Sequence, residues 1–393
     1  MKPNILTDIS KENWSVIPAI SHTYRSAAGG DQTMLEDESG RIRLIGSVLE
    51  SDLLVTGCII GVLGSENEDG SFEILEVKVP DLPPQPRRWL RTEVNKAPKP
   101  KDGSSLGKIA FVSGLSFSGE RADTLASTLL LEYLLGEAGG QTDHEFASKI
   151  TRLVIVGNSI AQDATKTEID EIAKKPKKYG YDATAYNPSP MQQLDSYISA
   201  LLPSMPVTLM PGLTDPANVA LPQQPLHHAL FPQSRYYTLA PPKPGAKPNG
   251  VNWFDSVSNP WQGDIAGLRV LVTAGQTLDD VFRYVLPQNL GAKNDKSLQL
   301  LEVAEKTLRW RVLAPTAPDT LWCYPFQEDD PFVVRECPHV YVIGNQEKFV
   351  TSIIDGDQEQ RVRIVTIPKF RETGQIVLMD LETADVEVVE FDV

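Results

Sequence analysis

The amino-acid sequence predicts an α/β protein preceded by an all-β region, and three observations predict it. Short β-type runs crowd the first region, a stretch rich in proline, lysine and arginine follows, and beyond it strands of buried type alternate with helical segments and end in glycine.

In the first region, runs at Arg41–Val48, Leu53–Leu63 and Phe72–Val79 are broken by Gly40, Gly64 and the turn Glu68-Asp69-Gly70. That spacing predicts a small barrel over residues 1–82. Residues 83–106 have no apolar periodicity and read as an exposed linker. The second domain takes residues 107–393.

It opens with a βαβ pattern: a strand over Lys108–Leu115, helical spacing over Gly119–Leu135, and a second strand over Arg152–Val156. A helical segment at Met191–Leu202 leads into a strand at Pro206–Met210. Further strands are predicted at Leu268–Thr273 and Val340–Ile343, and a β meander at Arg361–Ile367, Gln375–Leu381 and Val386–Phe391. Three strands end in loops at Ser113-Gly114, Gly157-Asn158 and Gly212-Leu213, and in open α/β sheets ligands sit at the carboxyl ends of strands.

Composition narrows the function. With 41% apolar and 23% charged residues the chain is neither disordered nor fibrous. Lys and Arg total 37 against 52 for Asp and Glu, and the net charge of -15 opposes strong nonspecific attraction to a phosphate backbone. Cys58, Cys323 and Cys337 are too few for a disulfide framework or a four-ligand zinc site, which fits a reducing compartment. No apolar run reaches the ~18 residues of a membrane span, and residues 1–23 carry no secretory pattern, so the expectation is a soluble intracellular protein with no membrane partner.

The candidate motifs each lack a necessary part. Gly114–Gly119 has the spacing of a phosphate loop, but Glu120-Arg121 stand where Lys and Ser or Thr are needed, and a carboxylate there repels phosphate. The same segment approaches a nucleophile elbow, yet Ser118 occupies the position of its last glycine. None of His22, His144, His227, His228 and His339 sits in a partner motif for a triad. Adjacent His227 and His228 project in different directions, and Asp329-Asp330 before Pro331 reads as a solvated turn. The carboxylates between Asp380 and Asp392 alternate with Val and Phe, which predicts an acidic strand face turned to solvent.

Several longer stretches resemble a known family. They include Val112-Ser113-Gly114-Leu115, Leu209–Gly212, Leu221–His227, Ala314–Leu321, Cys323–Phe326 and Glu336–Tyr341, and the likeness runs from Leu35 to the C-terminus. On these the chain is similar to the B-type accessory subunits of the replicative DNA polymerases alpha, delta and epsilon, and Gln223-Gln224 with Ala314–Leu321 favour the delta branch. The resemblance implies an oligonucleotide-binding-type barrel joined to an inactive calcineurin-like phosphoesterase domain. It implies a nuclear, noncatalytic scaffold without cofactor in DNA replication and repair. The implied partners are the C-terminal metal-binding region of the catalytic polymerase chain and a third subunit, with DNA contacted only indirectly or weakly. The family also carries a further segment before the barrel, so the barrel here reads as truncated, with unpaired edges.

Active proteins of that fold hold two metals with Asp and His side chains at strand ends. The matching positions here are Ser113 and Leu115, Asn158, Leu213, Thr214 and Asp215, and Asn345 and Glu347, where the glycines remain and most ligands are gone. The alternatives are an active metallophosphoesterase built on Asp163, Asp215, His227 and Asp319, and a barrel that binds single strands through aromatics such as Trp14 and Phe72. Leu221, Pro222, Gln223, Gln224 and Pro225 are the candidate interface residues, because a proline-rich loop can supply the apolar centre of a permanent interface.

Overall fold

The computed structural model describes residues 24, 31–51, 53–88, 106–120, 125–161, 187–238, 253–285 and 295–392. The expectations at Trp14, His22 and Asp163 lie outside these residues.

Four strands make the N-terminal sheet: β1 (Thr33–Glu36), β2 (Arg41–Ile45), β3 (Gly61–Glu66) and β4 (Ser71–Lys78). Their order is β1-β2-β4-β3, with β2 and β4 parallel and the outer pairs antiparallel. The Leu53–Leu63 run is only in part a strand. Leu53 and Val55 leave the sheet and bury themselves against the second domain, and β3 begins at Gly61.

Two larger sheets form the second domain. One contains β5 (Lys108–Val112), β6 (Ile150–Val156), β7 (Val207–Met210) and β8 (Phe254–Ser256), all parallel, with β14 (Gln375–Asp380) and β15 (Val386–Glu390) added antiparallel beside β5. The other has the order β12 (Thr351–Asp355), β13 (Arg361–Pro368), β11 (Val340–Gln346), β10 (Leu268–Thr273), β9 (Trp261–Ile265). Its three middle strands are parallel.

The two sheets face each other, and strand alternation shows how. In β5, Ile109 and Phe111 enter the core between the sheets, whereas Ala110 and Val112 face helices. In β11, Val340 and Val342 enter the same central core, whereas Tyr341 and Ile343 face the opposite helical layer. Strands buried on both faces read as continuous apolar runs, which is why their sequences show no alternation.

Helices α1 (Leu125–Leu135), α2 (Gln141–Ala147) and α3 (Ser189–Leu201) follow β5 and β6; α1 and α3 pack on the outer face of the six-stranded sheet. Helices α4 (Gln276–Phe282) and α5 (Lys296–Arg309) cover the outer face of the other sheet. Asp295 caps α5 by accepting from the Ser297 amide, Lys306 and Arg309 sit at its negative end, and Leu300, Leu301, Val303, Ala304 and Leu308 form its buried stripe. The second domain is thus a four-layer α/β/β/α stack.

Two further expectations change. The residues read as a linker are not free at their start. Pro83 is buried, and the Gln85 amide donates to the Pro338 and Arg361 carbonyls, both at 2.8 Å, while its own oxygen accepts from the Arg361 amide. The C-terminal meander is divided between the sheets. β13 belongs to the five-stranded sheet, and the chain crosses at Phe370–Thr373 to place β14 and β15 in the six-stranded one.

Candidate functional site

Five strand ends meet where the two sheets come together at their carboxyl edge, and glycine lets them meet. Gly114, Gly157 and Gly275 have positive φ. A Cβ on Gly157 would lie 2.8 Å from the Ala274 Cβ and 2.9 Å from the Gly212 Cα, and one on Gly212 would lie 2.4 Å from the Asn158 amide nitrogen. One on Gly344 would lie 2.6 Å from the Val156 carbonyl. The loops therefore touch backbone to backbone.

Hydrogen bonds lock this seam. The Gly114 amide donates to the Gly157 carbonyl at 3.0 Å, and the Ser116 and Phe117 amides donate to the Asn158 and Ser159 carbonyls. Ser113, fully buried, accepts from the Asn345 amide at 2.9 Å, and its hydroxyl lies 3.1 and 3.0 Å from the Ile367 and Pro368 carbonyls. The side-chain amide of Asn345 donates to Val156 in one sheet at 3.1 Å and to Ala274 in the other at 2.9 Å. Reaching both requires the left-handed backbone of Asn345, φ 59°, a conformation that asparagine tolerates. Ser113 and Asn345 thus staple the sheets together.

Asp215 is buried and serves its own loop. One carboxylate oxygen accepts from the Gly212 amide at 2.7 Å and the other from the Ile160 amide at 2.9 Å. Burial pushes its pKa up to about 6 despite these backbone donors. Thr214 donates its hydroxyl to the Ile160 carbonyl at 2.6 Å, and the Thr214 amide donates to Asn158 Oδ1.

The other predicted positions do not converge on one point. Leu115 lies in the helix-side core, Leu213 is half exposed, and Glu347 pairs with Lys296, which holds its carboxyl below the usual range. His227 is exposed, and its Nδ1 accepts from the Ala229 amide, closing a local turn. Asp319 is exposed and accepts from the Thr56 hydroxyl at 3.2 Å. Among the described residues, no three His, Cys, Asp or Glu side chains gather in a way that could hold a metal. Gly119 donates its amide to Gln193 at 3.0 Å, so the pseudo-phosphate loop already spends that donor.

In the Leu221–Pro225 loop, Leu221 and Gln223 turn inward, and the surface falls to Pro222, Gln224 and Pro225. Gln223 is fully engaged: its nitrogen donates to Gly212 and Asn218, both at 3.1 Å, and its oxygen accepts from Asn259 and Gln276. Asn259 in turn accepts from the Ala274 amide at 3.1 Å. Sequence reasoning passes over Asn259, Gln276 and the Ala274-Gly275 turn. The glycine after an apolar strand is a signal for the turn, whereas nothing local marks the two amides.

The acidic C-terminal strand also differs from expectation. Adjacent Val388 and Val389 break the alternation, so Glu387 and Glu390 point to opposite faces. Glu387 pairs with Lys108, Asp385 with Arg363, and Glu390 accepts from Gln375.

With Ser113, the Asn345 side-chain nitrogen and Asp215 engaged on backbone groups, the seam can hold two sheets in register, and Ser159 Oγ and Asn345 Oδ1 are its buried side-chain oxygens without a partner among the described residues.

Comparison with known proteins locates the chain. A family profile described as the B-type subunit of DNA polymerases alpha and epsilon matches residues 109–351, and one described as the OB-fold domain of a DNA polymerase delta subunit matches residues 1–77. The chain is 34% identical over 411 residues to the DNA polymerase delta small subunit of Saccharomyces cerevisiae, covering 100% of this chain and 77% of that protein. It is 36% identical over 392 residues to the DNA polymerase delta small subunit of Arabidopsis thaliana, covering 100% and 79%. Over 393 residues it is 33% identical to DNA polymerase delta subunit 2 of Drosophila melanogaster, covering 100% and 80%.

Proposed function

Because this chain belongs to the family of B-type subunits of the replicative DNA polymerases, we propose that it works as a noncatalytic accessory subunit of DNA polymerase delta, in the nucleus, in DNA replication and repair. The observation that carries this is similarity along the whole chain to delta small subunits from a fungus, a plant and an insect.

The chain is read as an oligonucleotide-binding-type domain over residues 1–82, a connector over 83–106, and an inactive phosphoesterase-like domain over 107–393. The two facing mixed sheets and the profile match over residues 1–77 support this division. The seam supports the reading of inactivity. A hydrolytic site must leave oxygen and nitrogen ligands free to meet metal ions. Here the Ser113 hydroxyl, the Asn345 side-chain nitrogen and both Asp215 oxygens are engaged on backbone groups, while Asn345 Oδ1 is buried without a partner among the described residues. A rigid double sheet without chemistry suits a scaffold between the catalytic chain, at its metal-binding C-terminal region, and a third subunit. Contact with DNA is weak or indirect, in keeping with the net charge of -15.

The test is reconstitution. Coexpressed with the polymerase delta catalytic chain, this protein should copurify at one to one and leave the catalytic chain's nucleotide incorporation dependent on it for processive output. The isolated protein should hold no stoichiometric manganese or zinc and should not turn over a generic phosphodiester. Stoichiometric metal with turnover, or failure to associate with the catalytic chain, would overturn the reading.

A further inference from the structure

Trp322, Tyr324 and Phe326 occupy alternate positions in the sequence and all three are exposed, by 54%, 61% and 42%; the chain is extended through Cys323 and turns tightly at Pro325, where the Phe326 amide donates to the Tyr324 carbonyl at 3.0 Å. Trp322 and Tyr324 flank the bridged Cys323, and alternate residues of an extended chain project to the same side. Tyr324 and Phe326 meet edge to face, with ring centroids 5.2 Å apart. Single exposed apolar residues are ordinary, whereas a touching aromatic pair with a third exposed aromatic two residues away marks an interaction surface.

The chain itself holds this stripe outward. The Leu221 amide donates to the Trp322 carbonyl at 2.8 Å, and the Tyr324 amide donates to the Leu221 carbonyl at 2.9 Å. Leu221 and Cys323 face each other in this parallel bridge and pack toward the core. Pro222, the next residue along, therefore shares the outer face with the aromatics. A segment pinned on both sides of Cys323 gives up little freedom when it is covered, which favours binding.

Charge selects the occupant. Between Arg311 and Arg335 the chain has no Lys or Arg, but it carries Asp319, Glu328, Asp329 and Asp330. Of these four, Asp329 pairs with a cation, Arg335. A second copy of this chain would bring like charges together, and DNA would be repelled. A basic peptide would not. Fully covered aromatics bury roughly 150–250 Å² each, less in sum than the ~800 Å² a stable interface takes from one partner. The stripe therefore serves as the anchor of a larger contact.

We infer that the Trp322–Phe326 stripe is the docking site for a segment of another polymerase subunit that carries large apolar side chains flanked by Lys or Arg. The inference rests on the reading of this chain as a polymerase subunit and names a surface for it.

The experiment uses the reconstituted complex with a photo-crosslinking phenylalanine at position 324. The cross-linked peptide should come from another subunit and contain at least two large apolar residues with an excess of Lys and Arg. The W322A/Y324A/F326A variant should assemble about 30-fold more weakly or worse, as loss of an aromatic anchor does. E328Q/D329N/D330N should weaken assembly ~3–10-fold and flatten its salt dependence. Both variants should keep the wild-type melting temperature. If the wild type assembles and the aromatic variant matches it, or the cross-link falls on DNA, on a second copy or on an acidic peptide, this inference fails and the subunit reading stands. If the wild type does not assemble at all, both fail.

Discussion

The strand-end seam and the N-terminal sheet are held together in opposite ways. At the seam, five loops touch through glycine, and buried amides and a hydroxyl cross from sheet to sheet. Among the described residues of the N-terminal sheet only Leu44, Ser71 and Ile74 are buried, while Met34, Leu63 and Leu75 are exposed by 42%, 62% and 70%. Its ion pairs Arg41–Glu36 and Lys78–Glu76 are solvated, and water screens them. This sheet draws its hold from the domain behind it. Leu53, Val55 and Leu82 join the core under α4 and α5, and Gly57 lies so close to the Pro315 carbonyl that a Cβ would be 1.8 Å away. The difference teaches where the chain keeps its rigidity: in the double sheet, with the smaller sheet fastened to it.

The severest test of that contrast is a methyl group at the seam. In G212A the new Cβ meets the Asn158 amide nitrogen, a backbone atom that cannot rotate away, and the loops after β6 and β7 must part. The expected loss is about 3 kcal/mol or more. G70A supplies the contrast, because nothing lies within 4 Å of a Cβ there and only its positive φ of 76° resists. Its cost should be ~1 kcal/mol. Urea midpoints at constant slope measure both, and equal losses would mean that the seam is no tighter than a surface turn.

Next in size is the staple. N345A strips hydrogen bonds from the Val156 and Ala274 carbonyls and places alanine at φ 59°. About 2–3 kcal/mol should be lost, most of it from the stranded carbonyls. If the two sheets are coupled at this point, amide exchange should accelerate in β6 and β10 together. Acceleration in only one would separate the sheets energetically.

How far the sequence carries varies along the chain. The strands from β5 to β7 and the glycine turns after them are legible, because buried apolar runs that end in glycine admit few other structures. The stripe of α5, with Leu301, Ala304 and Leu308 at spacings of three and four, is equally readable, yet it is absent from the expected elements. The division of the C-terminal strands between two sheets is not legible, since β13 and β14 have the same apolar pattern and only the turn at Phe370–Thr373 separates them. At the site, sequence can register Ser113 and Asn345 as polar residues beside the glycines that end two buried strands. It cannot register that one asparagine reaches two sheets, which depends on carbonyls 189 and 71 positions away in the chain.

The fastening of the N-terminal sheet gives a smaller effect. Arg311 donates from Nε to the Asp81 carbonyl at 2.6 Å and from Nη2 to the Pro80 and Leu82 carbonyls, both at 3.1 Å, just past the end of β4. R311A should cost ~1.5 kcal/mol, the worth of charge-assisted bonds at a partly exposed site. The loss should be local: exchange should quicken in β3 and β4 while β5 and β11 keep their protection. Uniform quickening would show that the two parts unfold as one unit.

The smallest effect at neutral pH should come from Asp215, where two opposed changes nearly cancel. Its folded pKa of about 6 stands above the ordinary carboxylate value of 3.8, because burial disfavours the charge. The native state therefore holds a proton that the unfolded chain releases between these values. Stability from this group is complete below about pH 4 and is lost as pH rises through about 6. D215N removes the titration but leaves a single acceptor oxygen for the Gly212 and Ile160 amides. At pH 7 relief from the buried charge offsets the lost bond to within ~1 kcal/mol. At pH 4 only the loss remains, so the variant should melt clearly below wild type there and close to it at pH 7. Parallel melting curves across that range would mean that the Asp215 carboxylate is charged at no cost, and that the seam is wetter than its packing allows.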